Sequence, residues 1–203
     1  HIREFTRNIW GPAGFQKDHR VLEIGCGVGL FLAYLQSMGL EDITGVEMDP
    51  KTKDYMPESL AKHVHTTTME SFLETHDGAL FDRIVMLDVF EHFTFFEGID
   101  VLKTLSKLLN PDGRIILRTP NCASPWGLQF QFNDLTHKAM YAPGNIGHLS
   151  LAAGLKSYGC LPYTRGSRLR GMTTRAIEWT LDHLLTDPPP IWTPNFITII
   201  GKS

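Results

Sequence analysis

A glycine-rich turn carries the clearest chemical signature in this chain of 203 residues. Residues 23–29 follow the pattern E-x-G-x-G-x-G after an apolar run, and the carboxylate of Glu47 stands eighteen positions beyond Gly29, after a second apolar run. Glycines let a backbone approach a ligand closely, and a carboxylate at this place can accept hydrogen bonds from ribose hydroxyls. The pattern predicts a nucleoside-cofactor site. Leu30 fills the third-glycine position of a dinucleotide fingerprint, which disfavours a dinucleotide.

Imidazole and carboxylate side chains form a second group that could do chemistry. Glu91 and His92 follow another apolar run, and Asp134 and His137 lie in a segment without a clear period. A hydroxyl that attacks an electrophile must lose its proton, and an imidazole suits that task near neutral pH. We predict His137 as the general base, with His92 as the second candidate and Asp134 as a partner. The Glu91–His92 pair has a structural alternative, in which it only caps or packs the following helix.

Alternating strands and helices must position these residues. Apolar runs predict strands over residues 20–25, 42–47, 64–67, 83–88, 114–118, 160–164 and 196–200, and helical patterns cover 30–38, 98–109 and 149–158. Such alternation indicates a parallel sheet covered on both faces. The predicted fold class is α/β, a doubly wound, mostly parallel seven-stranded sheet with helices on both faces. A short leading helix over residues 2–10 is expected to cover the cofactor site.

The whole chain, residues 1–203, is predicted to form a single domain. Residues 121–148, named here the covering segment, are rich in Gly, Pro, Asn and aromatic residues without a period. A long irregular segment beyond the carboxyl end of a strand usually lies over the site. The helix at 149–158 is expected to end at Gly159, and a helical insertion is predicted at about 172–186.

Four segments, in order, resemble the motifs of class I S-adenosylmethionine-dependent methyltransferases. The first two are RVLEIGCGVGL at 20–30, similar to motif I, and ITGVEMDP at 43–50, similar to the second strand with its ribose-binding acid. The others are FDRIVMLDVFEHF at 81–93 and LLNPDGRIILRTP at 108–120, which resemble the fourth and fifth strands with their flanking turns. The resemblance implies a Rossmann-like methyltransferase fold whose last strand is antiparallel. It also implies S-adenosyl-L-methionine as the cofactor.

The same resemblance implies which residues bind the cofactor at the carboxyl ends of the strands. The glycine turn surrounds the methionine and ribose portions, Glu47 holds the ribose hydroxyls, and Met48 packs against the adenine. The implied set is Glu23, Gly25, Cys26, Gly27, Gly29, Glu47, Met48, Thr68, Met69, Asp88 and Val89. Most family members carry an aspartate where Thr68 stands. For Met48 and Met69, ordinary core packing is an equally good alternative.

The methyl acceptor is suggested by weaker signals. Residues 132–137 and 148–149 resemble bacterial methyltransferases found with surface-polysaccharide genes, which implies O-methylation of a small molecule or glycan. Four aromatic residues in the covering segment favour an alternative, a quinone-type or other aromatic acceptor: Trp126, Phe130, Phe132 and Tyr141. A third alternative is a non-catalytic partner protein that only binds S-adenosylmethionine.

A divalent metal is a further alternative at the imidazole group. Magnesium-dependent relatives show an acid-x-x-Glu-His pattern with a later His, which Asp88, Glu91, His92 and His137 resemble. An ion there would lower the pKa of an acceptor hydroxyl. We predict a site that works without a metal.

Composition limits the partners and the compartment. A formal net charge of −3 offers no field that would attract nucleic acid. No apolar run reaches the roughly 18 residues of a membrane helix. Three cysteines cannot all pair within the chain, which favours a reducing compartment, the cytoplasm. Four arginines either form a solvated face or contact an anionic acceptor: Arg165, Arg168, Arg170 and Arg175.

Overall fold

The computed structural model describes residues 1–166 and 168–202, with the side chains of all of these except 168–170. The arginine cluster expected from the sequence therefore lies partly outside the described side chains, because those of Arg168 and Arg170 are not described. None of the described helices is both long enough and apolar enough to cross a membrane.

In the described part of the chain, seven strands form one sheet. In chain order, β1 to β7 span Val21–Ile24, Ile43–Glu47, Val64–Thr66, Phe81–Leu87, Leu109–Pro120, Lys156–Pro162 and Asn195–Gly201. Their order across the sheet is β3-β2-β1-β4-β5-β7-β6. Neighbours from β3 to β5 run parallel, whereas β7 runs antiparallel to both β5 and β6. The predicted doubly wound, mostly parallel sheet with an antiparallel last strand is confirmed.

The strand order creates a crevice beside β1. β2 and β3 extend the sheet on one side of β1, whereas β4 and β5 extend it on the other. Ligands of doubly wound sheets bind beyond the carboxyl ends of the strands where the order reverses in this way. The glycine turn follows β1, and Asp88 and Val89 follow β4, so both predicted cofactor segments border the crevice.

Helices cover both faces of the sheet. In chain order, α1 to α8 span Ile2–Phe5, Leu30–Ser37, Glu58–Ala61, Met69–Thr75, Phe95–Lys107, Leu128–Phe132, Pro143–Ala152 and Arg168–Leu184. Ile84 and Met86 of β4 belong to one apolar core, and Val85 between them belongs to another. Since side chains alternate along a strand, these cores lie on opposite faces. α1, α2 and α3 contribute to one core, and α4, α5 and α7 contribute to the other.

The helix after β4 begins with a capping box. Thr94 Oγ1 accepts a hydrogen bond from the Glu97 N–H at 3.3 Å, and the Glu97 carboxylate accepts one from the Thr94 N–H at 2.7 Å. This arrangement satisfies two donors at the helix start. The Glu91–His92 pair therefore does not cap α5, and the helix begins three residues before the predicted position 98.

The helix predicted at residues 149–158 is wrong in its position. α7 spans Pro143–Ala152, with Pro143 in its first turn and the Asn145 side chain accepting the Ala142 N–H at 2.9 Å. Gly154 takes a φ of 74° where the chain leaves the helix. Gly159, the expected helix stop, lies inside β6 at a shift in the register against β7. A glycine at a strand irregularity and one at a helix end look alike in sequence.

Residues 2–10 are helical, as predicted, in α1 and a π-helical turn over Thr6–Trp10. Phe5 packs edge-on against Phe31 of α2, with ring centroids 5.1 Å apart. Buried Asn8 donates from Nδ2 to the Thr164 carbonyl at 2.9 Å and accepts the Thr164 N–H at 3.1 Å. These contacts fasten the leading helix to α2 and to the chain that follows β6.

Candidate active site

The glycine turn after β1 has a backbone that favours glycine at three positions. Gly25, Gly27 and Gly29 have φ values of 69°, 53° and 74°. A Cβ at Gly25 would lie 2.4 Å from Cγ2 of Val89, and one at Gly29 would lie 2.7 Å from Cδ2 of Leu60. The turn is therefore packed tightly on two sides, and at Gly25 the end of β1 packs against the chain that follows β4.

Gly27 and Glu47 form the open side of the turn. A Cβ at Gly27 would meet no heavy atom of the described chain within 4 Å. The Gly27 N–H donates to Glu47 Oε2 at 2.8 Å, and the Asp49 N–H donates to Glu47 Oε1 at 2.9 Å. Two backbone donors thus fix the carboxylate beside open space, and each oxygen can accept a further hydrogen bond. This arrangement fits the nucleoside cofactor implied by the sequence.

Glu23 contributes a second carboxyl group near the turn. Its side chain is 3% exposed, and Oε2 has no hydrogen-bond partner among the described residues. Burial raises the pKa of Glu23 well above its usual range; nearby Arg118 opposes this shift, and Glu47 adds to it. The oxygen without a partner can accept a hydrogen bond from a donor that enters the crevice.

The other residues implied for the cofactor differ in their exposure. Cys26 is buried, and burial raises the pKa of its thiol, so it is a small packed side chain and no nucleophile. Met48 is 73% exposed, which excludes core packing, whereas Met69 packs against the core. Thr68 caps α4, where its Oγ1 accepts the Ser71 N–H at 3.3 Å.

Asp88 is held by Arg118, a residue that the motifs in the sequence did not predict as part of the site. Its two carboxylate oxygens accept from Arg118 Nε at 2.9 Å and Nη2 at 2.5 Å, while Arg118 Nη1 donates to the Tyr163 hydroxyl at 3.0 Å. The backbone at Asp88 takes a φ of 59°, the one positive value at a described residue other than glycine. Arg118 pairs with Leu87 in the ladder between β4 and β5. An arginine near the end of a predicted strand was the signal that could have found it.

The covering segment brings Asp134 and His137 next to His92. The two imidazole rings have centroids 4.8 Å apart and an interplanar angle of 74°. Thr136 joins His92 to Asp134, because its Oγ1 lies 2.9 Å from His92 Nδ1 and donates to Asp134 Oδ1 at 2.6 Å. His137 Nε2 lies 3.9 Å from Asp134 Oδ2 and 4.0 Å from Glu91 Oε1. All three residues predicted for proton transfer therefore lie together.

Glu91 is fully buried in a 3₁₀ turn over Phe90–His92. Its backbone carbonyl accepts the N–H groups of Lys138 at 2.9 Å and Ala139 at 3.3 Å, which fastens the covering segment to the end of β4. Neither carboxyl oxygen has a hydrogen-bond partner in the described part of the chain. Burial raises the pKa of Glu91 to about 8. Burial therefore favours the protonated form of this carboxyl group.

The side chains that could bind a metal ion are not the same set that the magnesium-type pattern in the sequence indicates. Asp88 faces Arg118, so its carboxylate is taken by an ion pair. Ligand-type atoms of His92, Asp134 and His137 lie within 4.8 Å of one another, and this set could hold a divalent ion. The proton-transfer chemistry that the imidazoles can perform needs no such ion.

Comparison with known proteins decides the family. A family described as a methyltransferase domain matches residues 2–158 of the chain. The chain belongs to this family. The resemblance to S-adenosylmethionine-dependent methyltransferases is thereby confirmed, and S-adenosyl-L-methionine is the cofactor of this methyltransferase domain.

Relatives and solved structures agree with this assignment. The tRNA U34 carboxymethyltransferase of Hydrogenovibrio crunogenus is 27% identical over 182 residues, which cover 80% of this chain and 52% of the relative. The ubiquinone biosynthesis O-methyltransferase of Cereibacter sphaeroides is 31% identical over 123 residues, which cover 58% of this chain and 47% of that relative. The chain thus spans about half the length of these relatives. A crystal structure of a SAM dependent methyltransferase from Archaeoglobus fulgidus shares the fold, with a TM-score of 0.75, 20% identity, and coverage of 100% of this chain and 92% of that one.

Proposed function

We propose that this methyltransferase transfers the methyl group of S-adenosyl-L-methionine to a hydroxyl of a small molecule or glycan. The imidazole–carboxylate cluster carries this proposal, because His137 Nε2 lies within 4.0 Å of the carboxylate oxygens of Asp134 and Glu91. Val89, which lies against the glycine turn at Gly25, precedes His92 by only three positions. A proton acceptor thus stands next to the expected cofactor position. A relative named as an O-methyltransferase supports a hydroxyl acceptor.

In this proposal, the open side of the glycine turn receives the nucleoside. The Gly27 backbone approaches it, and Glu47, fixed by two N–H donors, accepts the ribose hydroxyls. The unpartnered oxygen of buried Glu23 suits a donor from the methionine portion. The remaining residues line the methionine, ribose and adenine portions: Gly25, Cys26, Gly29, Met48, Thr68, Met69, Asp88 and Val89.

The residues of the chain must orient the acceptor hydroxyl and remove its proton. The bound cofactor supplies a methyl group that its sulfonium already makes electrophilic. The protein must hold the acceptor oxygen in line, exclude water and take the hydroxyl proton. His137 takes the proton at Nε2, since its Nδ1 lies 2.9 Å from the Gln131 carbonyl and carries the ring hydrogen there. Asp134 and His92 hold the cluster together through Thr136.

A quinone-type or other aromatic acceptor is the second candidate. Trp126 and Phe132 of the covering segment are exposed, so their rings are accessible for stacking on a flat acceptor. The relative from Cereibacter sphaeroides is named for ubiquinone biosynthesis, which favours this candidate among hydroxylated small molecules.

We propose that nucleic acid is not a methyl acceptor of this protein. The formal charge of −3 gives no general attraction for a polyanion. The free cysteines Cys26, Cys122 and Cys160 suit a reducing compartment such as the cytoplasm.

A methyl-transfer assay with labelled S-adenosyl-L-methionine tests the proposed function. Hydroxylated sugars, quinols and a short RNA are offered in parallel, each sugar and quinol with a matched control whose hydroxyls are already methylated. We expect label in a free hydroxyl of a sugar or quinol and none in the blocked controls. Label only in RNA, or only on nitrogen or carbon, would contradict O-methylation of a small molecule or glycan.

A further inference from the structure

We propose that the outer face of α8 is a contact surface for a second copy of this chain, in which the α8 helices of two subunits pack antiparallel about a two-fold axis. Four exposed residues define this outer face: Met172, Ala176, Trp179 and His183. The inference concerns assembly, so it holds whichever acceptor is methylated.

α8 turns its apolar side away from the rest of the protein. Gly171, Glu178 and Leu181 lie on one side of the helix and are half-buried. Desolvation raises the pKa of Glu178, so this acidic side chain is on the shielded side. Met172 and Trp179, on the opposite side, are 64% and 63% exposed. A surface helix of a globular protein normally has the reverse arrangement, with its apolar side toward the core.

The apolar surface of α8 extends beyond its outer face. Ile177 and Leu184 flank that face and are 57% and 74% exposed. No described side chain of α8 belongs to either apolar core of the protein. Most of the stability of a helix in a protein comes from packing its apolar side, and a contiguous exposed apolar surface marks an interaction site. The helix therefore calls for a partner that covers this side.

The spacing of the outer face fits another α-helix. Its four members are separated by four, three and four residues, the alternation that forms a seam between two packed helices. The rings of Trp179 and His183 are in contact within this seam, with centroids 4.3 Å apart. In an antiparallel pair, Ala176 of each helix lies opposite Trp179 of the other. A small side chain then makes room for each indole ring.

Charges beside the outer face select a second copy of the chain as the partner. Arg175 and Asp182 are exposed and lie on the same flank of the seam, since seven residues separate them, which is about two helical turns. In the register that places Ala176 opposite Trp179, Arg175 of each subunit faces Asp182 of the other. The two-fold axis makes this ion pair occur twice, so the surface is complementary to itself.

A membrane surface fits this face less well. Amphipathic helices that lie in a bilayer interface are rich in Lys and Arg on their polar side. α8 carries Glu178 and Asp182 in its C-terminal half, and anionic phospholipids would repel both carboxylates. One basic and one acidic residue on the same flank favour a protein surface that carries the same two charges.

Sedimentation equilibrium over about 1–200 μM protein tests the proposal, with circular dichroism as the check of folding. We expect the wild-type chain to form a dimer that dissociates on dilution. Trp179→Ala should raise the dissociation constant of the dimer about 100-fold or more, because the central aromatic anchor is lost. Trp126→Ala, the same change at an exposed tryptophan of the covering segment, is the matched control and should dimerise like the wild type. Met172→Gln is the second variant if Trp179→Ala folds poorly, and it should weaken the dimer in the same direction.

An exchange of charges tests whether the partner is a second α8 in the antiparallel register. Arg175→Glu and Asp182→Lys should each raise the dissociation constant about 10-fold or more, because like charges then meet at both contacts of the pair. An equal mixture of these two variants should dimerise again, since opposite charges meet at both contacts of the mixed pair. Arg3→Glu, at an exposed arginine of α1, is the control and should leave the dimer unchanged.

Any of four results would overturn the proposal. The first is a wild-type chain that stays monomeric over the whole concentration range, and the second is a dimer that neither Trp179→Ala nor Met172→Gln weakens. The third is a mixture of the two charge variants that stays as weakly associated as each variant alone. The fourth is a monomeric wild type that binds phosphatidylglycerol vesicles and loses this binding in Trp179→Ala, which would assign the face to a membrane.

Discussion

Carboxyl groups near the crevice differ in their hydrogen bonds and charge because their surroundings differ. Glu47 is fixed by two backbone N–H donors beside open space, which suits the recognition of neutral hydroxyls. Asp88 is paired with Arg118 of β5, which neutralises its charge. Glu91 is buried without a hydrogen-bond partner in the described chain, so its charge depends on a proton. Three carboxyl groups thus differ in their hydrogen bonds, ion pairing and protonation according to their environment.

Replacing His137 tests the base at the residue scale. We expect His137→Ala to lower kcat about 100-fold or more, since general-base catalysis is lost, and to leave cofactor affinity unchanged. His148→Ala, the same change at an exposed position of α7, is the matched control and should keep full turnover. Steady-state kinetics and calorimetry provide the two readouts. A His137→Ala variant with wild-type kcat would remove His137 as the base.

Glu91 should also make stability depend on pH. Folding raises its pKa to about 8, so the folded chain keeps a proton that the unfolded chain releases above about pH 4. Wild-type stability is therefore lost as pH rises from about 4 to about 8, by up to about 1.4 kcal/mol per unit. Glu91→Gln has no titrating carboxyl group at this position, so its free energy of unfolding lacks this pH dependence. In urea unfolding, the free energy of the variant minus that of the wild type should grow over this range and then level off; a constant difference would contradict the burial of a titrating group.

At the scale of elements, apolar runs located the central strands within a residue or two. Val21–Ile24 and Ile43–Glu47 are buried strands of a parallel sheet, which read as nearly continuous apolar runs. β5 begins at Leu109 instead of 114, because its pairing with β4 jumps across Asn110–Gly113. Such a jump depends on the partner strand, and no periodicity within β5 predicts it.

The turn between β1 and α2 offers a test at this scale. Gly25 and Gly78 both have positive φ, 69° and 81°, so alanine at either position bears the left-handed penalty of roughly 1–2 kcal/mol. Only at Gly25 would the new Cβ meet another atom, Cγ2 of Val89 at 2.4 Å. We expect Gly25→Ala to weaken cofactor binding about 10-fold or more, since the turn must shift, and Gly78→Ala to bind normally. Equal affinities in calorimetry would show that the turn does not hold the cofactor.

The whole molecule brings the site together from distant parts of the chain. The doubly wound order could be predicted, because strands that alternate with helices have few ways to pack. The contact between the covering segment and β4 could not, since it depends on backbone bonds such as the Lys138 N–H to the Glu91 carbonyl. The pairing of Asp88 with Arg118 likewise depends on the register between β4 and β5. Residue types therefore indicated candidate residues for the site, and tertiary contacts determine which of these residues meet.

Cofactor binding measured by calorimetry tests the central claim most directly, namely that the glycine turn and Glu47 hold S-adenosyl-L-methionine at the crevice beside β1. The account predicts that the wild-type protein binds the cofactor and that Glu47→Ala weakens binding by about 1–3 kcal/mol, or about 5- to 150-fold. Glu41→Ala, at an exposed carboxylate near the opposite end of β2, should bind like the wild type. No binding by the wild-type protein, or an unchanged dissociation constant in Glu47→Ala, would contradict it.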